Sequence, residues 1–556
     1  GVQTCALPIC NQMSCFFSSS GNLVDASVDG FLRSSSVPVA KLDVGCSDVN
    51  IVFRPDWSKE RANKQVAVIC GGGSGHEPMH VGYVGEGMLT AAVCGGLFAS
   101  PSIDAVFSAI MHVAGSAGVL VIVKAYTGDC LNFGLAVEKA KAIGINVEMV
   151  IFSDDISIPD HPRPRGLAGV ILLYKICGYF ASQNKTLEEI KAIAETAKSL
   201  ISTIGVSITS CSTPTSDGGN RIQPGHAELG LGIHGEPGVE VMDTQDVSTL
   251  VTTMVKKLKE KRKGPLAVML NNLGGTSQLE MSIICSTLLK IKGINLQLLI
   301  GPGSFCTSLD MKGFSITFME LKGSFSDALL APVSVNSWIT PVEIHQALII
   351  PARKVLDQIG FKHSKNEKHE LILRTICNCL IENEDYLNNL DSFVGDGDTG
   401  FTFATGSMSI LNQFSKLPFN ELPSLLSSIS DILSRSMGGS SGVLLSIMTM
   451  QASRSLNEGK SFIESMNDGL NKMMELGGAK PGMRTMIDSL LPAIQKLKEG
   501  ISEAAKAAEN GAENTKSMLK AGAGRSSYLK SESLKSHPDP GAVAVALTFR
   551  ALANKL

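Results

Sequence analysis

The sequence predicts two domains of different class, an α/β N-terminal domain followed by an all-α one. Three observations carry this. At 556 residues the chain exceeds what one hydrophobic core can organise. From about Asn22 to Asn336, continuous apolar runs of strand length alternate with helical patterns. After about residue 366 the strand signal vanishes and only helical spacing remains. The expected boundaries are 21–337 for the α/β domain, 338–365 for a proline-containing, mixed-charge linker, and 366–556 for the helical domain. Residues 1–20, with neither an initiator methionine nor a charged segment before an apolar core, are set aside as a non-native or disordered N-terminus.

The expected strands are QVAVIC, GVLVIVK, NVEMVIF, GVSIT, PLAVMLN, NLQLLIG and FSITFMEL. Unbroken apolar runs suit strands covered on both faces, as in α/β sheets. In TLEEIKAIAETAKSLIS, Thr186 is a plausible N-cap with Glu189 three residues on, the pattern of a capping box. Several strands run directly into glycines or acidic residues, and in open α/β sheets ligands bind at such strand ends. In the second half, Leu373, Ile376, Leu380 and Leu387, and then Leu422, Leu426, Ile429, Leu433 and Met437, recur at helical spacing.

Composition excludes several function classes. A net charge of -3 supplies no basic field for nucleic acid, and 5% aromatic residues leave little for base stacking. No apolar run approaches the ~20 residues that cross a bilayer. The 13 cysteines lie scattered in apolar runs without the paired spacing of a zinc site, which suits free thiols in a reducing compartment, the cytosol.

Three glycine-rich loops stand out in the first half. GGGSGHEP (71–78) follows a strand but lacks the lysine of a phosphate-binding loop, and His76 breaks the dinucleotide fingerprint. VKAYTGD carries Lys124 and Asp129 around a Thr-Gly turn. ELGLGIHGEPG surrounds His234 with glycines, which let a ligand approach the backbone closely. Each loop taken alone is equally an ordinary turn. Together they make a small polar site suited to a polyhydroxy or carbonyl compound: an imidazole can add to a carbonyl, and an aspartate can act as a base toward a hydroxyl.

The helical half contributes an acidic loop, NNLDSFVGDGDTG, that crowds Asp391, Asp396 and Asp398. Carboxylates this dense repel unless a cation sits among them, and Mg²⁺ shared with substrate phosphates is the expected one. A calcium EF-hand fails because Ser407 stands where the loop needs glutamate. MGGSSG (437–442) restarts a helix and so offers amides to a phosphate. KPGMRTM offers Arg484, and HPDPGA is a rigid turn before the last helix.

In this order the motifs GGGSGHEP, VKxYTGD, LGLGIHGEPG, LDxxxGDGDTG, GGSSG, RTMIDSLLPA and HPDPGA resemble those of the ATP-dependent dihydroxyacetone kinases, whose animal members are triokinase/FMN cyclases. The resemblance covers nearly the whole chain from NLVDASVDGFL onward. It implies a substrate domain of two α/β subdomains, a barrel of antiparallel helices, and a homodimer formed through the substrate domain. It implies that His234 captures the substrate carbonyl as a hemiaminal, with His76 assisting proton transfer and Asp129 as base. Gly72, Gly73, Ser74, Gly75, Lys124 and Asp129 would contact substrate. Asp391, Asp396 and Asp398 would hold two Mg²⁺ ions on ATP. Asp398, Thr399, Gly400, Phe401, Ser440, Ser441, Gly482, Arg484, Asp539, Pro540 and Gly541 would line the nucleotide site.

The implied reaction phosphorylates dihydroxyacetone, and also D-glyceraldehyde; cleavage of FAD at the nucleotide site, with Mn²⁺ or Co²⁺, is a second implied activity. Departures from the family pattern are Ala125 for asparagine, Cys130 for arginine and Met483 for aspartate. They leave open an alternative in which the chain is a weakened relative that regulates by binding a triose or a protein.

Overall fold

The computed structural model describes residues 22–45, 49–158, 164–213, 221–243, 246–351, 362–523, 534 and 536–556. The set-aside segment 1–20 lies outside the described residues, as does 352–361 within the expected linker. The chain divides into two compact units, 1–348 and 349–556.

The first unit contains two sheets. Strands β1 (Ala40–Lys41), β2 (Asn50–Phe53), β3 (Ala67–Ser74), β4 (Ala91–Leu97), β5 (Val119–Lys124) and β6 (Val147–Phe152) form one in the order β1-β2-β4-β3-β5-β6. Its four strands β4, β3, β5 and β6 run parallel, and β1 and β2 extend it antiparallel. The other sheet joins β7 (Ile201–Ser207), β8 (His226–Leu229), β9 (Glu240–Asp243), β10 (Leu266–Asn272), β11 (Leu296–Gly303), β12 (Gly313–Glu320) and β13 (Val342–Glu343) in the order β13-β11-β10-β12-β7-β8-β9. Only β10 and β11 are parallel there.

All seven strands expected from apolar runs are present. The helix expected from TLEEIKAIAETAKSLIS is Leu187–Ser199, and the Thr186–Glu189 capping box forms. It stops short of the apolar tail because Ile201 is already paired with Met319 of β12.

Each sheet is covered on both faces, which is why its strands read as unbroken apolar runs. Helices Ile103–Val113 and Thr127–Ala142 cover the outer face of the first sheet. Val247–Lys261 and Gln278–Lys290 cover that of the second. Between the sheets, helix Val170–Ser182 shares one core with Val68, Cys70 and Ile122 on one side and Met269, Ile300 and Met319 on the other. That helix is buried almost throughout, including Gly178.

Among the described residues of the second unit, helices Glu367–Glu382, Thr399–Asn412, Leu422–Ser436, Gly439–Asn457, Phe462–Gly477, Ile487–Lys496, Ile501–Asn514 and Pro540–Ala553 each pack on the next. Pro540–Ala553 also packs on Glu367–Glu382, closing the ring. The helix Glu384–Val394 packs on Thr399–Asn412 and on the last helix. No described helix is long and apolar enough to cross a membrane.

The central helix sets a sharp steric limit. A Cβ on Gly178 would lie 2.4 Å from the carbonyl oxygen of Gly87. Gly178→Ala is therefore expected to lower stability by about 1–3 kcal/mol through overpacking. A lowered urea midpoint for the first unit's transition is the check.

Candidate active site

In the first unit the site forms from loops of both sheets. β3 ends at Ser74, and two residues later His76 turns inward, fully buried. Its Nδ1 meets the carbonyl oxygen of Thr307 at 2.8 Å and its Nε2 meets Nε2 of His234 at 3.1 Å. The loop after β11 grips the glycine loop from the second sheet: Thr307 and Leu309 N–H groups donate to the carbonyls of His76 and Gly75, and the Thr307 hydroxyl donates to that of Glu77 at 2.8 Å.

His234 is half-buried in the loop between β8 and β9. Its Nδ1 faces Oε1 of Glu236 at 3.1 Å, and its backbone N–H donates to Oε2 at 2.9 Å. The reason for the surrounding glycines is geometric. A Cβ on Gly232 would lie 1.9 Å from the Glu236 carboxylate and 2.5 Å from Arg165, so only glycine admits the group that orients His234. Arg165 is anchored in turn on Asp155 at 2.6 Å and on the Gly230 carbonyl at 2.7 Å. Phe98 stacks on His76 at 5.0 Å, while Phe98 and Tyr126 meet His234 edge-on at 5.2 and 4.8 Å.

These contacts dictate the protons. His76 must donate from Nδ1 to a carbonyl, and burial with the nearby Lys124 charge drives its pKa well below the usual imidazole value. The ring is neutral, so its Nε2 is a bare acceptor, and the proton in the contact belongs to His234. Burial alone would raise the Glu236 carboxyl. The hydrogen bond and charge of His234 outweigh it and hold the group at about 2.

Asp129 lies in the first turn of helix Thr127–Ala142, directly after β5. Burial raises its carboxyl, opposed by the Lys124 charge and the Ser100 hydroxyl, which donates to Oδ1. Lys124, the last residue of β5, is buried with its ammonium 5.5 Å from the centre of the Tyr126 ring. Gly72 brings the backbone against His80, Asp129 and Lys124, and Gly73 against Phe98 and Ala99. Gly75 donates to Glu77 at 2.9 Å. The Ser74 hydroxyl is spent on the Gly95 carbonyl at 2.9 Å.

Sequence reasoning missed Ser100, Tyr126, Phe98, Thr307 and Glu236. Glu236 had a visible signal, a carboxylate two residues from a glycine-flanked histidine. Ser100 had none, because the strand before it, AAVCGGL, is too rich in alanine and glycine to announce itself.

In the second unit, Asp391, Asp396 and Asp398 bring ligand oxygens within 4.8 Å of one another. Asp391 is buried near the end of helix Glu384–Val394 and accepts from the N–H groups of Asp398 and Thr399 at 3.0 and 3.2 Å. Gly400 packs on the Glu384 carbonyl, where a Cβ would sit 2.0 Å away, and the Phe401 N–H donates to Asn388 at 3.0 Å. Asp488 accepts from Gly482 and Thr485, folding the loop that carries Arg484.

Arg484 is 1% exposed and adopts φ +60°. One nitrogen donates to the His537 carbonyl at 2.8 Å, and Nε and Nη1 have no partner among the described residues. Beside it, burial raises Asp539 to about 6 against the Arg484 charge, and its carboxylate caps Pro540–Ala553 by accepting from Ala542. Gly541 lets the turn sit against Met486. Ser440 and Ser441 occupy the first turn of Gly439–Asn457. A cluster of three carboxylates, and in the same unit a buried guanidinium with two nitrogens unpartnered among the described residues, suit a metal-bound phosphate chain.

The comparisons agree with these halves. The Dak1 domain matches residues 40–337 and the DAK2 domain residues 393–554. The chain belongs to the dihydroxyacetone kinase family. It is 47% identical to the dihydroxyacetone kinase of Citrobacter freundii over 97% of this chain and 99% of that one. It is 37% identical to the rat triokinase/FMN cyclase, over 88% and 91%. The crystal structure of the C. freundii dihydroxyacetone kinase in complex with AMP-PNP and Mg²⁺ superposes with a TM-score of 0.71 at 44% identity, covering 98% of this chain and 99% of that one. The α/β unit followed by an all-helical one is thus the architecture of this kinase family.

The imidazole–carboxylate pair has a thermodynamic signature. A carboxyl depressed in the folded state adds stability above its ordinary value, 4.5, and that stability is lost as pH falls toward about 2. Glu236→Gln is expected to lower the melting temperature at neutral pH, and the gap from the parent should narrow through that acid window. Melting curves across pH measure it.

Proposed function

We propose that this chain transfers the γ-phosphoryl group of ATP to dihydroxyacetone, and to D-glyceraldehyde, through covalent capture of the carbonyl by His234. The observation that carries the reading is the contact between the two imidazole Nε2 atoms, one ring neutral and the other tied to Glu236. His76 takes the Nε2 proton of His234, freeing the lone pair that attacks the carbonyl carbon. The C=O π bond breaks, and His76 returns the proton to the carbonyl oxygen. The substituted imidazolium keeps its Nδ1–H on Glu236, so charge is conserved. Glycerol, which has no carbonyl, cannot be held this way.

Asp129 then takes the proton of the terminal hydroxyl. That oxygen bonds to the γ-phosphorus as the bond to the ADP oxygen breaks. Asp391, Asp396 and Asp398 would hold two Mg²⁺ ions, which would neutralise charge on the triphosphate. Arg484, whose Nε and Nη1 have no partner among the described residues, and the amides around Ser440 and Ser441 would hold the phosphates.

The test is ADP release from MgATP with dihydroxyacetone. The parent should turn over, and His234→Ala and Asp396→Asn should each lose about 100-fold or more. Full turnover in His234→Ala would overturn the capture step. A parent inactive with saturating MgATP would favour the regulatory alternative. The triokinase/FMN cyclase relatives favour a second activity at the same nucleotide site, cleavage of FAD to AMP and cyclic flavin phosphate. Release of AMP from FAD under Mn²⁺ or Co²⁺ tests it separately.

A further inference from the structure

A buried histidine outside the motif roles described above points at the same reaction. His80 is 2% exposed, and its Nδ1 lies 2.8 Å from the Tyr174 hydroxyl, which in turn lies 3.0 Å from the Cys70 sulfur. Its Nε2 is buried and has no partner among the described residues. A hydroxyl bonds far better to an imidazole nitrogen than to a thiol sulfur, so Tyr174 donates to Nδ1. Burial and the Lys124 charge keep the ring neutral, which leaves the proton on Nε2 as a donor.

That donor lies close to the glycine backbone beside the base. The position a Cβ would take on Gly72 is 3.0 Å from His80 Nε2 and 3.4 Å from Asp129 Oδ2, so both atoms flank Gly72 and are near enough for one substrate oxygen to lie within hydrogen-bond reach of each. A side chain at Gly72 would press on both.

We propose that His80 is a further substrate-binding residue, donating from Nε2 to the hydroxyl oxygen whose proton Asp129 removes. The hydroxyl proton then points to Asp129, one lone pair accepts from His80, and the other is left for phosphorus. As the proton leaves, the same N–H stabilises the oxyanion that forms. This rests on the assignment of Asp129 as base.

The test separates capture from transfer. His80→Phe keeps the ring's bulk and removes the donor; His80→Gln restores a donor. Intact-mass detection of the dihydroxyacetone adduct on His234 reads capture, and kcat with saturating MgATP reads transfer. The expected result is an adduct that still forms in His80→Phe, with kcat lowered about tenfold or more, as loss of a hydrogen bond to a charged group implies, and partial recovery in His80→Gln. Parental kcat in His80→Phe would overturn the inference. So would loss of adduct and turnover together in both variants, since His80 would then act on the fold rather than the hydroxyl. Should His80→Phe not fold, kcat in Tyr174→Phe, which releases Nδ1, decides: an unchanged value overturns the inference. Failure of the underlying reading looks different, because the parent itself would then show no adduct or Asp129→Asn would keep its rate.

Discussion

Two imidazoles carried by different sheets must meet nitrogen to nitrogen, and the architecture of the first unit follows from that demand. His76 hangs from the end of a parallel strand, and His234 from a hairpin loop of the other sheet. Holding them at 3.1 Å requires the sheets to be fixed against each other through a shared core, and the central helix supplies it. It also requires direct stitching at the rim, which the backbone around Thr307 provides. A loop free to move by an ångström would break the contact between the two ring nitrogens.

Both units then use burial in the same way. In the first, Lys124 sits buried near two imidazoles and a carboxyl, so every charge in the site is felt by its neighbours. In the second, Arg484 is sealed beside Asp539, and its Nε and Nη1 have no partner among the described residues. Buried polar groups in such surroundings cost stability unless something pairs with them.

Much of this was legible in the sequence, for physical reasons. Strands sandwiched between helices must be apolar on both faces, so β3, β5, β7, β10 and β12 declared themselves. The acidic loop and the glycine-flanked histidine also stood out, although each alone reads as an ordinary turn and only the set of loops together pointed to a site. What stayed hidden was whatever depended on distant partners. β4 has little strand propensity of its own and exists because β2 and β3 hold it. Ser100 follows that strand and was lost with it. The Glu236 role needed the carboxylate to fold back into the space left by Gly232. His80 lies two residues beyond the GGGSGHEP motif, and its contact with Tyr174, 94 residues away, could not be read from the sequence.

The closing of the helical ring has a consequence for folding. The helix Pro540–Ala553 shuts the circle by packing on Glu367–Glu382, and the Asp539-Pro540-Gly541 turn that caps it also borders Arg484. Those two helices lie far apart along the chain, so bringing them together carries a chain-closure entropy cost. The corner beside Arg484 therefore takes its shape from a long-range closure rather than from its local sequence.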